Sequence, residues 1–192
     1  MPTSILRGCD SVADQPRFRS SVTNPAATPA GAPALTDEST LTKVSVRAQV
    51  GASPLGVDFT RTDRRDGVLI AGIRPDEWLL LGTGADVEAF LTGTEFDASV
   101  NRIDISHSRL CLRLTGERSS SALEKVCSLD FDDMMFPDGA TGSASVAKVS
   151  SDLIRDDQDD EPSYLILADR SFGQYLYDAI HDATTEFANT PT

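Results

Sequence analysis

Residues 68–82 have the sequence VLIAGIRPDEWLLLG, in which two short apolar runs lie on either side of a Pro-Asp pair. The first run covers residues 68–73, and the second covers residues 77–82. Pro75 and Asp76 are residue types that favour a reversal of the chain between two strands. The stretch therefore predicts an antiparallel β-hairpin.

Further strands are predicted on both sides of this hairpin. In residues 109–115 apolar and polar side chains alternate, which places Leu110, Leu112 and Leu114 on one inward face. The other predicted strands are residues 42–49, 100–105, 145–154 and 164–168.

Three amphipathic helices accompany these strands. Thr83 and Asp86 are spaced to cap a first helix, and residues 118–127 predict a second. The last helix starts with a capping box formed by Ser171 and Gln174. Its apolar face comprises Phe172, Tyr175, Leu176, Ala179, Ile180, Ala183 and Phe187.

The order of these elements predicts an α+β fold. Strands outnumber helices and hairpin connections outnumber long crossovers, so we expect a mainly antiparallel sheet with the helices on one face. The sequence shows no internal repeat.

The chain is expected to consist of an arm and one domain. Residues 1–36 lack a sustained period, and residues 23–33, TNPAATPAGAP, have the composition of an extended linker. We predict a flexible N-terminal arm over residues 1–36 and a single domain over residues 37–189.

The charge is strongly negative and unevenly distributed. The 192 residues include 30 Asp and Glu but only 17 Lys and Arg, for a net charge of −13. Most of the excess follows Leu110, chiefly in two acidic stretches at residues 130–138 and 152–161. Such a chain repels phosphate backbones and anionic lipids, so we expect no nucleic-acid partner and no membrane partner.

The cysteines and the N-terminus indicate a cytoplasmic protein. Cys9, Cys111 and Cys127 cannot form an even disulfide framework, and the chain has enough apolar residues to build a core without one. No secretory signal and no membrane-spanning run is visible in the sequence.

Two motifs that resemble chemical sites have simpler structural explanations. Residues 82–87 resemble a dinucleotide-binding fingerprint, but Val87 takes the place of its third glycine. Asp104, Ser106 and His107 lie within four residues, whereas the members of a catalytic triad normally come from separate segments. We therefore expect an ordinary hydrogen-bonded turn at residues 104–107.

No metal site is predicted either. Cys111 and Cys127 with two histidines do not complete a zinc set, and neither acidic stretch has the spacing of a calcium loop. We expect the acidic runs at residues 130–133 and 156–161 to be solvated loops.

Six short motifs together resemble the gamma subunit of heterotetrameric sarcosine oxidase. They occur in that family's order and at compatible spacing, and the resemblance extends from about Leu35 to Phe187. The motifs are RPDEWLLL (74–81), IDISH (103–107), LRLTG (112–116), CSLD (127–130), FPDG (136–139) and RSFGQYL (170–176).

The resemblance implies a fold and a biological setting. The family is similar to the folate-binding fold of glycine-cleavage aminomethyltransferases, with ferredoxin-like βαββ elements. Its complexes demethylate sarcosine to glycine, producing hydrogen peroxide and formaldehyde or methylene-tetrahydrofolate. The partners would be the alpha, beta and delta subunits, with FAD, FMN, NAD and tetrahydrofolate bound outside the gamma subunit.

The expected role of this chain is then assembly, with no catalytic, cofactor-binding or metal-binding residues of its own. We predict a partner interface around Trp78 and the apolar residues between the acids of residues 130–137. Those loop residues are Phe131, Met134, Met135 and Phe136. The alternative for these side chains is that they fill the domain's own core.

A rival function is a free-standing folate-binding protein of the same fold acting in one-carbon metabolism. Such proteins are longer, because their folate sits in a ring of several domains, whereas 192 residues leave room for only one such domain. Binding of tetrahydrofolate by the isolated chain would favour this rival. A third possibility is an interaction module without an oxidase.

Overall fold

The computed structural model describes residues 18–188, which form ten strands and three α-helices. The strands are β1 (Ala34–Asp37), β2 (Thr42–Arg47), β3 (Thr62–Arg65), β4 (Val68–Arg74), β5 (Glu77–Gly82), β6 (Asn101–Asp104), β7 (Arg109–Thr115), β8 (Thr141–Val146), β9 (Val149–Arg155) and β10 (Ser163–Asp169). The helices are α1 (Gly84–Gly93), α2 (Ser119–Glu124) and α3 (Gly173–Thr185), and a 3-10 turn, Arg170–Phe172, precedes α3.

The predicted hairpin and first helix are confirmed. Strands β4 and β5 pair antiparallel, with Ile70 opposite Leu80. Thr83 caps α1, because its hydroxyl accepts a hydrogen bond from the backbone N–H of Asp86 at 3.2 Å.

The α+β class is confirmed, but the strands form two antiparallel sheets where the sequence predicts one. The N-terminal sheet has the order β3-β4-β5-β2-β6, and the C-terminal sheet has the order β1-β7-β10-β9-β8. Strand β1 thus precedes the N-terminal sheet in the chain but pairs with β7 in the C-terminal sheet.

The two sheets pack face to face and each carries helices on its outer side. Side chains from β4, β5, β7, β9 and β10, among them Leu79, Leu81, Leu165 and Leu167, form one apolar cluster between the sheets. Helix α1 covers the outer face of the N-terminal sheet, and α2 with α3 covers that of the C-terminal sheet. Because both faces are covered, the central strands are apolar at nearly every position.

Ion pairs also join the two sheets. Asp152 of β9 accepts hydrogen bonds from Arg74 of β4 at 3.3 Å and from Arg109 of β7 at 2.5 Å. Arg64 of β3 binds Asp156, which lies just after β9, at 2.7 Å. These buried carboxylates are therefore paired, as burial of a charge requires.

Each sheet with the helices that cover it forms one half of the structure. The two halves have the same arrangement of strands, although the sequence shows no repeat. The strand order β3-β4-β5-β2-β6 corresponds to β8-β9-β10-β7-β1, and in both halves an α-helix follows the third strand of the series, in the second half after the 3-10 turn. Residue register agrees as well. Trp78 lies opposite Val46 as Tyr164 lies opposite Leu114, and each of these four side chains is buried on its sheet's outer, helix-covered face.

The same hydrogen-bonded turn ends the fifth strand of both halves. The carboxylate of Asp104 accepts from the N–H of Ser106 at 2.8 Å, and the Ser106 hydroxyl accepts from the N–H of Lys43 at 2.9 Å. In the other half Asp37 accepts from Ser39 at 3.0 Å, and the Ser39 hydroxyl accepts from the N–H of Cys111 at 3.1 Å. The structure therefore confirms that residues 104–107 form a turn.

Two local predictions are wrong. Residues 145–154 do not form one strand, because a tight turn at Ala147 and Lys148, with φ of 46° and 68°, separates β8 from β9. The capping box at the last helix is absent. Asp169 instead accepts from the N–H of Ser171 at 2.8 Å, while the Gln174 amide oxygen accepts from the N–H of Thr23 at 2.7 Å.

The described part of the predicted arm lies against the C-terminal half. Val22 is 7% exposed, and the boundary expected after residue 36 falls inside β1. Residues 1–17 and 189–192 lie outside the described residues. The first 17 residues of the predicted arm therefore remain a prediction.

The paired turns give a prediction about stability. Ser39→Ala would leave the buried N–H of Cys111 without its acceptor, which typically costs ~1–3 kcal/mol of unfolding free energy. Ser106→Ala should cost less, because Ser106 is only half-buried. Ser108→Ala, at an exposed hydroxyl, is the control and should change stability by no more than ~0.5 kcal/mol. Chemical denaturation measures all three, and a Ser39→Ala variant as stable as the parent would contradict the assignment.

Candidate partner interface

Trp78 does not lie on an exposed face, so this part of the predicted interface is wrong. Its side chain is 3% exposed, and the indole N–H donates to the carbonyl of Val57 at 2.7 Å. The loop before β3, which contains Leu55 and Val57, packs over the indole on the outer face of the N-terminal sheet. Trp78 is therefore a core residue.

Phe131 and Phe136 are also buried, at 2% and 4% exposure. Their ring centroids are 5.8 Å apart in an edge-on contact, and Phe131 lies 5.4 Å from the ring of Tyr164. For these two residues the prediction of an exposed interface is wrong, and the alternative, that they fill the domain's own core, is correct. The aromatic cluster fixes both ends of the loop to the C-terminal sheet.

Met134 and Met135 lie between these two anchors and point into solvent. Their exposed fractions are 90% and 67%, the highest and third highest among the large apolar residues of the described chain. We call residues 130–138 the Met loop. An exposed Met pair held between buried aromatics is a compact apolar surface of the kind that partners bury.

The backbone of the Met loop is held by local hydrogen bonds. The Asp132 carboxylate accepts from the N–H of Met134 at 2.9 Å. The Asp132 carbonyl accepts from the N–H groups of Met135 and Phe136 at 2.9 and 2.7 Å. Asp130 accepts from the N–H of Asp132 at 3.0 Å. The two methionines are thus presented by a defined turn.

Arg155 holds this turn against the C-terminal sheet. Its guanidinium donates to the carboxylate of Asp133 at 2.5 Å and to the carbonyl of Phe136 at 2.8 Å. Its side chain is 7% exposed and also binds Asp157 at 3.0 Å. Burial alone would lower the pKa of Arg155, but the hydrogen bonds to Asp157 and Asp133 outweigh it and raise the pKa. The guanidinium therefore stays charged and holds the loop.

The structure brings together the two acidic stretches that the sequence separates. The Asp138 carboxylate at the end of the Met loop accepts from the N–H of Asp157 at 3.0 Å. Asp156 is paired with Arg64 and Arg113. The exposed acids of the Met loop therefore form an acidic rim beside its methionines, and the two acidic stretches meet at Asp138.

In the sequence, Arg155 stands out only as the one basic residue within the two acidic stretches. Its burial could not be predicted from that position. Its role as the anchor depends on the carbonyl of Phe136 and on Tyr164, whose ring lies 5.7 Å from the guanidinium. Those partners come from a loop and a strand that only the fold brings together.

The remaining chemical candidates have structural roles. Cys111 is fully buried, and burial raises the pKa of its thiol to about 12, so it is not a reactive thiolate at neutral pH. Residues 82–87 join an antiparallel strand to α1, unlike the parallel unit of a dinucleotide site. Within residues 18–188, no three His, Cys, Asp or Glu side chains are grouped to hold a metal ion. In the same range, no helix is long and apolar enough to span a membrane.

Comparison with known proteins identifies the family. The model of the sarcosine oxidase, gamma subunit family matches residues 45–186. The sarcosine oxidase subunit gamma of Corynebacterium sp. (strain P-1) is 28% identical over 127 residues, which are 66% of this chain and 61% of that protein. The aligned region thus spans about three fifths of the curated relative.

A solved structure shows the same fold. One chain of the heterotetrameric sarcosine oxidase from Corynebacterium sp. U-96, in complex with pyrrole 2-carboxylate, matches with a TM-score of 0.70 and 23% identity. The match covers 88% of this chain and 90% of that chain, and so includes both sheets. With a family model that covers residues 45–186, we conclude that the chain belongs to the sarcosine oxidase gamma subunit family.

Proposed function

We propose that this chain is a non-catalytic assembly subunit of a heterotetrameric sarcosine oxidase located in the cytoplasm. The family match over residues 45–186 carries the proposal. The complex would convert sarcosine, oxygen and water to glycine, formaldehyde and hydrogen peroxide, or would transfer the one-carbon unit to tetrahydrofolate. FAD, FMN, NAD and the folate would be held by the alpha and beta subunits, and a delta subunit would complete the complex.

The side chains of this chain support a structural role. Asp104 and Ser106, which lie close to His107 in the sequence, are engaged in a backbone turn. Lys43 is buried and its ammonium donates to the carbonyls of Ser39 and Leu41 at 2.9 and 2.6 Å. Burial lowers the pKa of Lys43. A lowered pKa can mark a catalytic lysine, but the hydrogen bonds of this ammonium go to the backbone segment that links the two sheets. These groups stabilise the crossing between the sheets.

We propose that the Met loop is one contact of this subunit with its partner. Met134 and Met135 supply the apolar centre, and the acidic rim would favour a basic partner surface and speed association at low salt. Phe131 and Phe136 contribute indirectly, by fixing the loop that carries the methionines, whereas Trp78 belongs to the core of the other half.

The assembly role is tested by co-expression with the other oxidase subunits and purification through a tag on this chain. We expect the flavin-bearing subunits to co-purify in stoichiometric amounts. A solitary, flavin-free product would contradict the proposal. Stoichiometric binding of tetrahydrofolate by the purified chain alone would favour the rival, a free-standing folate-binding protein.

The Met loop is tested by the double variant Met134→Ser, Met135→Ser. Burying a Met side chain contributes ~1.5–3 kcal/mol, so the double variant should weaken assembly about tenfold or more. Val50→Ser is the matched control, because Val50 is 77% exposed on another loop. Retention of the other subunits per tagged chain is the readout, and equal retention by the double variant and the control would contradict a docking role for the loop.

A further inference from the structure

An open groove lies on the outer side of the N-terminal sheet. It runs between α1 and strands β2 and β6, with a volume of about 670 Å³. Gly84, Glu88 and Thr92 line it from the helix, and Val44 and Asp104 line it from the sheet. Glu88 and Thr92 are exposed, and nothing within the described residues covers the groove.

The corresponding groove of the C-terminal half is filled by this chain's own extended segment. Residues 18–27 run along α3, where the hydroxyl of Tyr177 donates to the carbonyl of Ala26 at 3.0 Å. His181 contacts the carbonyl of Ala27 at 3.3 Å, and Ser20 binds the carboxylate of Asp37.

The residues that line the two grooves occupy matching positions when each α-helix is counted from its first residue. Gly84, Glu88 and Thr92 lie at the first, fifth and ninth positions of α1, as Gly173, Tyr177 and His181 do in α3. Asp104 ends β6 as Asp37 ends β1, and each carboxylate forms the same turn. Residues 18–27 therefore contact positions of α3 and β1 whose counterparts in α1 and β6 line the open groove.

The first residue of each helix, Gly173 or Gly84, shows how closely another segment of the chain approaches the helix in that groove. A Cβ built on Gly173 would clash with the side chain of Ser21, so this position accommodates only glycine beside the bound segment. A Cβ built on Gly84 meets only the Thr42 hydroxyl, at an ordinary 3.5 Å. Gly84 leaves the same kind of space without a segment to fill it.

We propose that the groove beside α1 binds an extended segment of another subunit of the complex. The inference rests on the proposed assembly function and names a second docking surface for it. By the internal correspondence, the occupant is a strand-like segment with small side chains, lying along α1 as residues 18–27 lie along α3.

Charge indicates the chemistry of that segment. In the filled groove, Tyr177 and His181 face carbonyl groups of the bound chain. In the open groove, Glu88 takes the place of Tyr177 and can only accept hydrogen bonds, and Asp104 adds a second carboxylate against one cation, Arg102. The occupant therefore presents donors at these positions, either free backbone N–H groups or a Lys or Arg side chain.

The test uses tagged variants of this chain co-expressed with the other subunits and with untagged parent chain as competitor. Glu88→Arg reverses the groove charge, and Gly84→Phe fills the groove. We expect each to lower the share of complex that carries the tagged chain at least tenfold relative to tagged parent. Glu95→Arg, the same charge change at an exposed site outside the groove, should stay within twofold.

A photocrosslinking amino acid at Thr92 identifies the occupant in the assembled complex. We expect a crosslink to an extended segment of another subunit. Two results would overturn the inference and leave the assembly function standing. One is a crosslink to residues 1–17 of this chain, and the other is that both groove variants enter the complex as well as tagged parent chain does. If tagged parent chain itself fails to enter a complex, the assembly function fails and this inference fails with it.

Discussion

The apolar face shared by the two sheets is the constraint on which the rest of the structure depends. Leu79 and Leu81 from one sheet and Leu165 and Leu167 from the other are each at most 2% exposed. Because that face is closed, helices can pack only on the two outer faces, and each sheet acquires a helix-covered side. Strand β1 reinforces the contact, since this first described strand lies in the C-terminal sheet, after which the chain crosses to build the N-terminal sheet and then returns.

This arrangement makes the two halves alike in framework and different in surface. The loop before β3 covers Trp78 with Leu55 and Val57, and the Met loop covers Tyr164 with Phe131 and Phe136. Only the Met loop adds an Arg155 anchor and two exposed methionines. The groove beside α3 holds residues 18–27, while the groove beside α1 stays open. The surfaces proposed for docking are thus the places where the two halves differ.

Much of the local structure could be predicted because it depends on near neighbours in the sequence. The Pro75-Asp76 turn and the Thr83 cap are local signals, and both are confirmed. The second sheet could not be predicted, because an apolar run shows that a strand is buried but not what covers it. The turn at Ala147 and Lys148 was missed because neither residue is a usual left-handed turn former, although both adopt positive φ.

The candidate site could be predicted only in part for a related reason. Phe131, Met134, Met135 and Phe136 look equivalent in an irregular loop, where no period separates inward from outward side chains. The contacts with Tyr164 and Arg155 decide which of them are buried, and both partners are distant in the sequence. The resemblance between the halves was hidden because it lies in strand order and register, and few side-chain identities accompany it.

The most direct test of this account is an experimental structure of the complete assembly. The account predicts that Met134 and Met135 are buried against another subunit and that an extended segment of a second chain lies between α1 and β6. A structure in which the methionines remain in solvent and the groove beside α1 holds only water would contradict it.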